Sequence, residues 1–177
     1  TSFYSSSAST SAHPRPAPPV ADRVPTASER SMPTALTIAG SDSSGGAGVQ
    51  ADLKTFAAHH VHGVCAITAV TAQNTVGITT VETMSPVVVT TQIDSVLDDF
   101  DVKAVKTGML ATRSIVTEVC GRLEAHSRIP VVVDPVMIST SGHRLLDDDA
   151  VEIVRTRLLP LARVVTPNRL EAETLTG

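Results

Sequence analysis

A glycine-rich loop and a set of carboxylate and amide side chains are the residues of this sequence best suited to chemistry. The loop covers residues 40–48, and its glycines would let a ligand approach the backbone closely. The helix predicted behind it would offer free N–H groups and a positive dipole end to an anion. Asp134 directly follows the apolar residues 131–133, so its carboxylate could bind Mg²⁺ and, through it, phosphate oxygens. A carboxylate that caps a turn before Pro135 is an equally good interpretation.

Asn168 and Glu171 open the last predicted helix of the chain. An Asn followed three residues later by a Glu is typical of a capping box, and local evidence favours that interpretation. Both residues also follow a predicted strand, so they would face the same edge of the sheet as Asp134. There they could share a hydrated metal ion with its carboxylate.

Gln73 and Met109 follow two other predicted strands and could bind a flat heteroaromatic ring. An amide has both a donor and an acceptor for a ring edge, and methionine offers a flexible apolar wall. A satisfied strand-end amide and ordinary core packing are the competing interpretations. The histidines at 59, 60 and 62 are too close together, with no fourth ligand in register, to indicate zinc.

The glycine loop has two alternative interpretations that the surrounding sequence disfavours. Residues 46–51 fit the G-x-G-x-x-A pattern of a dinucleotide-binding turn, which also needs an acid about 20 residues further on. Between Asp52 and Glu82 there is no Asp or Glu. A Walker A loop is excluded because no Gly is followed by Lys. A tight turn would explain one or two glycines, but it explains Ser41 and Asp42 less well.

Alternating apolar runs and amphipathic stretches would position these residues. We predict strands at 35–39, 64–70, 78–82, 103–106, 130–133 and 162–165. We predict helices at 48–59, from 86, at 112–125, at 149–159 and from 168, with Val88, Ile93 and Leu97 on the buried face of the second. This order favours an α/β fold with a mainly parallel sheet of βαβ units. Ligands bind such sheets at the carboxyl ends of the strands, where all the candidate residues lie.

Composition limits the function classes. The chain has 177 residues, a net charge of -4 and 2% aromatic residues, which disfavours nucleic-acid binding. No apolar run has the length of a membrane-spanning helix, so we expect no membrane partner. Cys65 and Cys120 lie far apart, and we expect both to be inert core residues. With no signal peptide pattern, the cytoplasm is the expected location.

Residues 1–33 differ from the rest of the chain, because they contain eight Ser, six Pro and few large aliphatic side chains. We predict a disordered tail, followed by a folded domain over residues 34–177. A transit peptide is the alternative, since the segment is Ser-rich with three Arg, although Asp22 and Glu29 weaken it. Met32 could also be the true start codon.

Several segments, taken in order, resemble hydroxymethylpyrimidine/phosphomethylpyrimidine kinase of the ribokinase-like superfamily. The resemblance covers nearly all of residues 34–177 and is carried by residues 35–56, 67–75, 106–110, 132–137, 141–146, 158–160 and 166–172. It implies a ribokinase-like three-layer sandwich with a mainly parallel sheet, incomplete at its C-terminal side. It also implies ATP and Mg²⁺ as cofactors. The expected reaction is phosphorylation of 4-amino-5-hydroxymethyl-2-methylpyrimidine, and then of its monophosphate, in thiamine biosynthesis.

The resemblance also assigns roles by position. Substrate-binding residues would be Gly40, Asp42, Ala47, Gln73 and Met109, with Gln73 on the aminopyrimidine edge and Met109 on the ring. Asp134, Asn168 and Glu171 would organise the ATP phosphates, with Asp134 and Glu171 next to the metal. A homodimer is a further implication.

One family feature is missing from these 177 residues. The family carries a later Gly-Thr-Gly-Cys type segment whose cysteine takes the position of the catalytic base. The sequence has no such segment, and Cys65 and Cys120 are not at that position. We therefore predict no catalytic base in this chain and expect it to be the N-terminal part of a kinase domain. A pyridoxal or pyridoxine kinase and a non-catalytic pyrimidine-binding module are the alternatives.

Overall fold

The computed structural model describes residues 32–139, 142 and 144–176. Their strands form one six-stranded sheet in the order β3-β2-β1-β4-β5-β6. The strand bounds are Thr34–Asp42 (β1), His62–Gln73 (β2), Ile78–Thr83 (β3), Val102–Thr107 (β4), Val131–Val133 (β5) and Ala162–Val165 (β6). All neighbouring pairs are parallel except β2 and β3, which pair antiparallel. The predicted mainly parallel sheet is therefore confirmed.

Helices cover both faces of the sheet. Their bounds are Gly48–Ala58 (α1), Pro86–Asp99 (α2), Arg113–Ala125 (α3), Asp148–Ile153 (α4) and Arg169–Thr176 (α5). Alternation along β1 shows the layering, since successive strand residues point to opposite faces. Leu36 and Ile38 are fully buried in the large apolar core that includes buried side chains of α2, α3 and α4. Thr37 instead hydrogen-bonds Asp52 of α1 on the other face.

Two local predictions differ from the structure. Val88 was expected on the buried face of α2, but it is exposed, and Val89 and Thr90 are buried in its place, whereas Ile93 is buried as predicted. The predicted helix 149–159 is α-helical only to Ile153 and continues as a π turn and a 3₁₀ turn to Leu161. Pro160 contributes to this change, because it has no N–H to donate to the carbonyl four residues earlier.

Among the other elements, β6 matches at both ends, whereas β1 and β2 each run three residues past their predicted ends, to Asp42 and Gln73. The predicted tail, apart from its last two residues, lies outside the described residues, as does Ser141 of the family-like segment 141–146. Within the described part of the chain, no helix combines the length and apolar character needed to span a membrane.

Candidate active site

The carboxyl ends of five strands surround a cavity of about 400 Å³. Its walls come from the ends of β1, β2 and β4, from the segments that follow β5 and β6, and from the start of α1. All eight residues predicted for the site line this cavity: Gly40, Asp42, Ala47, Gln73, Met109, Asp134, Asn168 and Glu171. The structure thus brings the predicted residues together, while their individual roles stay predictions.

Asp42 organises the glycine-rich loop from within. Its carboxylate is buried and accepts hydrogen bonds from the backbone N–H groups of Ser44, Gly46 and Ala47 at 2.8–3.0 Å, and from the Ser44 hydroxyl. Burial alone would raise the pKa of Asp42, but the hydrogen bonds from Ser44, Ala47 and Gly46 outweigh it and hold the pKa below 3.8. The ionised carboxylate therefore serves as the hydrogen-bond acceptor that fixes the conformation of the loop.

Gly48 lets the loop fold back onto β1. It has a φ of +58°, in the left-handed region that disfavours side chains, and it forms an isolated bridge with Ser41. A Cβ placed at Gly48 would lie 2.2 Å from the carbonyl oxygen of Gly40. The side chain of Gln50 reinforces the closure by accepting from the Asp42 N–H at 2.9 Å and donating to the Ser41 hydroxyl at 2.6 Å.

Gln73 lines the cavity, and both its side-chain amide and its backbone are hydrogen-bonded. Its Oε1 accepts from the Thr71 hydroxyl at 3.3 Å, and its backbone exchanges two hydrogen bonds with the Ser43 hydroxyl of the loop. Thr71 and Ser43 were not predicted as site residues; the contacts of Ser43 with Gln73 join segments that are 30 positions apart. The described contacts leave the NH₂ donors of Gln73 available to a ligand.

Met109 forms an apolar wall beside Gly40. The Met109 side chain is buried, and its sulfur would lie 3.0 Å from a Cβ placed at Gly40. The Met109 carbonyl accepts from the buried Thr68 hydroxyl at 2.6 Å, which fixes the backbone at this point. Met109 therefore both packs against Gly40 and lines the cavity.

Asn168 and Glu171 form the capping box that local evidence favoured. The Glu171 N–H donates to Asn168 Oδ1 at 3.0 Å, and the Asn168 N–H donates to Glu171 Oε2 at 2.9 Å. Glu171 is buried, and its other oxygen lies 3.4 Å from the Met137 N–H. The capping pair also lines the cavity, so the two interpretations of these residues are compatible.

A lysine and an aspartate that the sequence prediction missed join the site. Lys106 Nζ lies 3.1 Å from Asp52 Oδ1 and 3.4 Å from Asp134 Oδ2. Thr37 supports this pair by donating to Asp52 Oδ2 at 2.6 Å. The one signal for Lys106 was its position near the end of a strand, where a charged residue stands between positions 105 and 107, which are both buried. The partner on α1 is set by tertiary packing and cannot be found from local pattern.

Comparison with known proteins identifies the family. The family model described as phosphomethylpyrimidine kinase matches residues 42–177. The chain belongs to the phosphomethylpyrimidine kinase family. It is 55% identical over 146 residues to the hydroxymethylpyrimidine/phosphomethylpyrimidine kinase of Synechococcus elongatus, covering 82% of this chain and 55% of that protein. The chain therefore spans about half the length of this curated relative.

Solved structures confirm the ribokinase-like fold for this phosphomethylpyrimidine kinase family member. The phosphomethylpyrimidine kinase structure from Clostridium difficile is 49% identical with a TM-score of 0.77, covering 82% of this chain and 63% of that one. The pyridoxal kinase of Staphylococcus aureus in complex with pyridoxal is 38% identical with a TM-score of 0.74. That match covers 83% of this chain and 54% of the pyridoxal kinase chain.

The two cysteines of this family member lie outside the cavity lining. Burial raises the pKa of the Cys120 thiol to about 11 and also raises that of Cys65. A raised pKa disfavours the reactive thiolate, as expected for inert residues. Cys120 is buried as predicted for a core residue, whereas Cys65 is only half-buried. No group of three or more His, Cys, Asp or Glu side chains that could hold a metal ion occurs within residues 32–139, 142 and 144–176.

Proposed function

We propose that this protein phosphorylates 4-amino-5-hydroxymethyl-2-methylpyrimidine and its monophosphate with ATP, in thiamine biosynthesis. The observation that carries the proposal is the convergence of all eight predicted residues on one cavity at the carboxyl ends of the strands. Phosphoryl transfer asks a protein mainly to position its reactants and to offset charge. Residence in the cytoplasm and assembly as a homodimer are further predictions, the second of them from the family resemblance.

The substrate end of the cavity suits an aminopyrimidine. The Gln73 NH₂ can donate to a ring nitrogen, while its Oε1 can accept from an exocyclic amino group. Met109 and Gly40 offer a flat apolar wall on which the ring can pack. The loop organised by Asp42 closes the cavity on the side of β1.

The other end of the cavity has side-chain oxygens that could bind Mg²⁺ together with the ATP phosphates. Asp134 and Glu171 supply carboxylate oxygens, the ligand type that Mg²⁺ prefers, and Asn168 is hydrogen-bonded to Glu171. Glu171 also accepts backbone N–H groups, and Asp134 also pairs with Lys106. Carboxylates of this kind could hold a Mg²⁺ ion. When bound, Mg²⁺ would offset the negative charge of the ATP phosphates. We assign no catalytic base among the described residues, because the family resemblance gives that role to a cysteine and neither Cys65 nor Cys120 lines the cavity.

Replacing Gln73 by leucine tests the substrate end. We expect Gln73→Leu to raise the KM for the pyrimidine about ten- to hundredfold, because a buried polar edge of the ligand loses its partner. The KM for ATP should change much less, since Gln73 lies away from Asp134 and Glu171 in the proposed arrangement. Steady-state rates of the natural full-length protein, measured against each substrate in turn, provide the comparison.

Gln92→Leu is the matched control for this measurement. The Gln92 amide donates to the Ile67 carbonyl and accepts from the Ile67 N–H, which fastens α2 to β2 outside the cavity. We expect this variant to melt at a lower temperature with an unchanged KM for the pyrimidine. Equal KM values for wild type and Gln73→Leu would contradict the assignment of Gln73.

Pyridoxal is the competing acceptor, because the pyridoxal kinase structure shares this fold at 38% identity. The better kcat/KM in a mixture of the two alcohols names the preferred substrate. We expect the pyrimidine to be preferred. Binding of the pyrimidine with no turnover of either alcohol would favour a non-catalytic binding module instead.

A further inference from the structure

The charges around the cavity are unbalanced. Among the described side chains that line it, four are carboxylates, from Asp42, Asp52, Asp134 and Glu171, and Lys106 is the one cation. A neutral alcohol can enter such a cavity without electrostatic cost. A phosphomonoester dianion is repelled by each carboxylate, unless a cation lies beside its phosphate.

The two acceptors of the proposed reaction therefore place different demands on the site. In each case, the bond from the γ-phosphorus of ATP to the ADP oxygen breaks, and a new P–O bond forms to the acceptor. An alcohol acceptor must also lose its hydroxyl proton to a base. A phosphate dianion has no proton to lose, but its negative charge must be offset before a second phosphoryl group can approach.

Lys106 is placed to supply that charge. Its side chain is 22% exposed at the cavity wall, and its ammonium lies between Asp52 on α1 and Asp134 after β5. An ammonium has three N–H donors. Nζ lies 3.1 Å from each Asp52 oxygen and 3.4 Å from Asp134 Oδ2, so a ligand oxygen could take the donor that now makes the longer contact with Asp134. Asp52 is itself anchored by Thr37, which keeps the ammonium at the end of β4.

We propose that Lys106 is a specificity-determining residue that binds the phosphate of the monophosphorylated acceptor. This inference rests on the proposed function and extends it to the second phosphorylation. Lys106 should therefore raise the acceptor ratio, which is kcat/KM for the pyrimidine monophosphate divided by kcat/KM for the pyrimidine alcohol. That ratio separates binding of the phosphate from a general effect on the site, which would change both acceptors together.

The test compares wild type, Lys106→Gln and Lys103→Gln in the natural full-length protein. Glutamine keeps a donor for Asp52 but removes the charge. Losing a charged hydrogen bond to the phosphate should lower the acceptor ratio of Lys106→Gln about ten- to hundredfold. Lys103 lies on the same strand, but it is exposed, pairs with Asp101 and does not line the cavity. Its replacement should leave the ratio unchanged.

A binding measurement gives a second result that does not depend on turnover. Calorimetric titration with the pyrimidine monophosphate, without nucleotide, should show a Kd raised by a similar factor in Lys106→Gln only. Lys106→Arg, which keeps the charge, should recover part of the ratio. If Lys106→Gln does not fold, Asp52→Asn/Lys106→Gln also removes the carboxylate nearest to the lost ammonium and should show the same selective loss, reduced because one repelling carboxylate is gone.

The outcomes separate this inference from the proposed function. Equal losses for both acceptors in Lys106→Gln would overturn the inference and leave the kinase assignment intact. Wild-type turnover of the alcohol with none of the monophosphate would overturn it as well. If wild type turns over neither acceptor with MgATP, the proposed function itself fails, and the inference fails with it.

Discussion

Replacing Gly48 by alanine is expected to disrupt the glycine-rich loop and abolish pyrimidine binding. The alanine Cβ would lie 2.2 Å from the Gly40 carbonyl oxygen, and that oxygen belongs to strand backbone that cannot move without shifting β1. The φ of +58° adds left-handed strain. We expect the free energy of unfolding to fall by about 3 kcal/mol or more. Denaturant unfolding and calorimetric titration with the pyrimidine measure the two effects.

Gly121→Ala provides the control for the same chemical change. Gly121 lies inside α3, and a Cβ placed there meets no heavy atom within 4 Å apart from its chain neighbours and the nearby backbone of its own helix. Since alanine is the better helix former, this variant should gain about 0.5–1 kcal/mol and bind the pyrimidine as wild type does. Wild-type stability and affinity in Gly48→Ala would contradict the role given to the loop.

Replacing Asp42 by alanine should have the next largest effect. The change removes the acceptor for three backbone N–H groups and one hydroxyl within a single loop. Leaving such donors unpaired should cost about 2–4 kcal/mol of stability and weaken pyrimidine binding, because the loop loses its shape. Ser44→Ala removes only the hydroxyl contact and should cost about 0.5–1.5 kcal/mol. Equal losses in both variants would contradict the central position of the carboxylate.

The contribution of Asp42 should also depend on pH in a defined direction. Its pKa in the folded protein is held below 3.8, so the folded state favours the ionised form. The stabilisation is therefore complete above the ordinary pKa and is lost as the pH falls through the folded pKa. The stability difference between wild type and Asp42→Ala should be constant near neutrality and shrink below pH 3.8. A difference that grows on acidification would contradict this account.

The sequence pattern predicted the position of the site because ligands bind parallel sheets at the carboxyl ends of their strands. Apolar runs identified the strands, and their parallel order placed the carboxyl ends of all strands except β3 on one edge, so Gln73 and Asp134 could be expected at the same edge of the sheet. The capping box of Asn168 and Glu171 was also predictable, since it depends on residues three positions apart.

Contacts between distant segments could not be predicted in this way. The pairing of Lys106 with Asp52 spans 54 positions and depends on how α1 packs against the sheet. The hydrogen bonds of the Asp42 carboxylate within its own loop could not be predicted without the loop conformation, which the glycines permit but do not specify. The misplaced face of α2 has a similar cause, because Val87, Val88 and Val89 are equally apolar and only tertiary packing chooses Val89.

Product formation tests the central claim most directly. The natural full-length protein should be incubated with MgATP and 4-amino-5-hydroxymethyl-2-methylpyrimidine, and the phosphorylated products followed by ³¹P NMR. We predict the pyrimidine monophosphate first and the diphosphate later, with an equal amount of ADP for each phosphoryl group transferred. Hydrolysis of ATP without a phosphorylated pyrimidine, or no reaction of any kind, would contradict the assignment of this protein as a pyrimidine kinase.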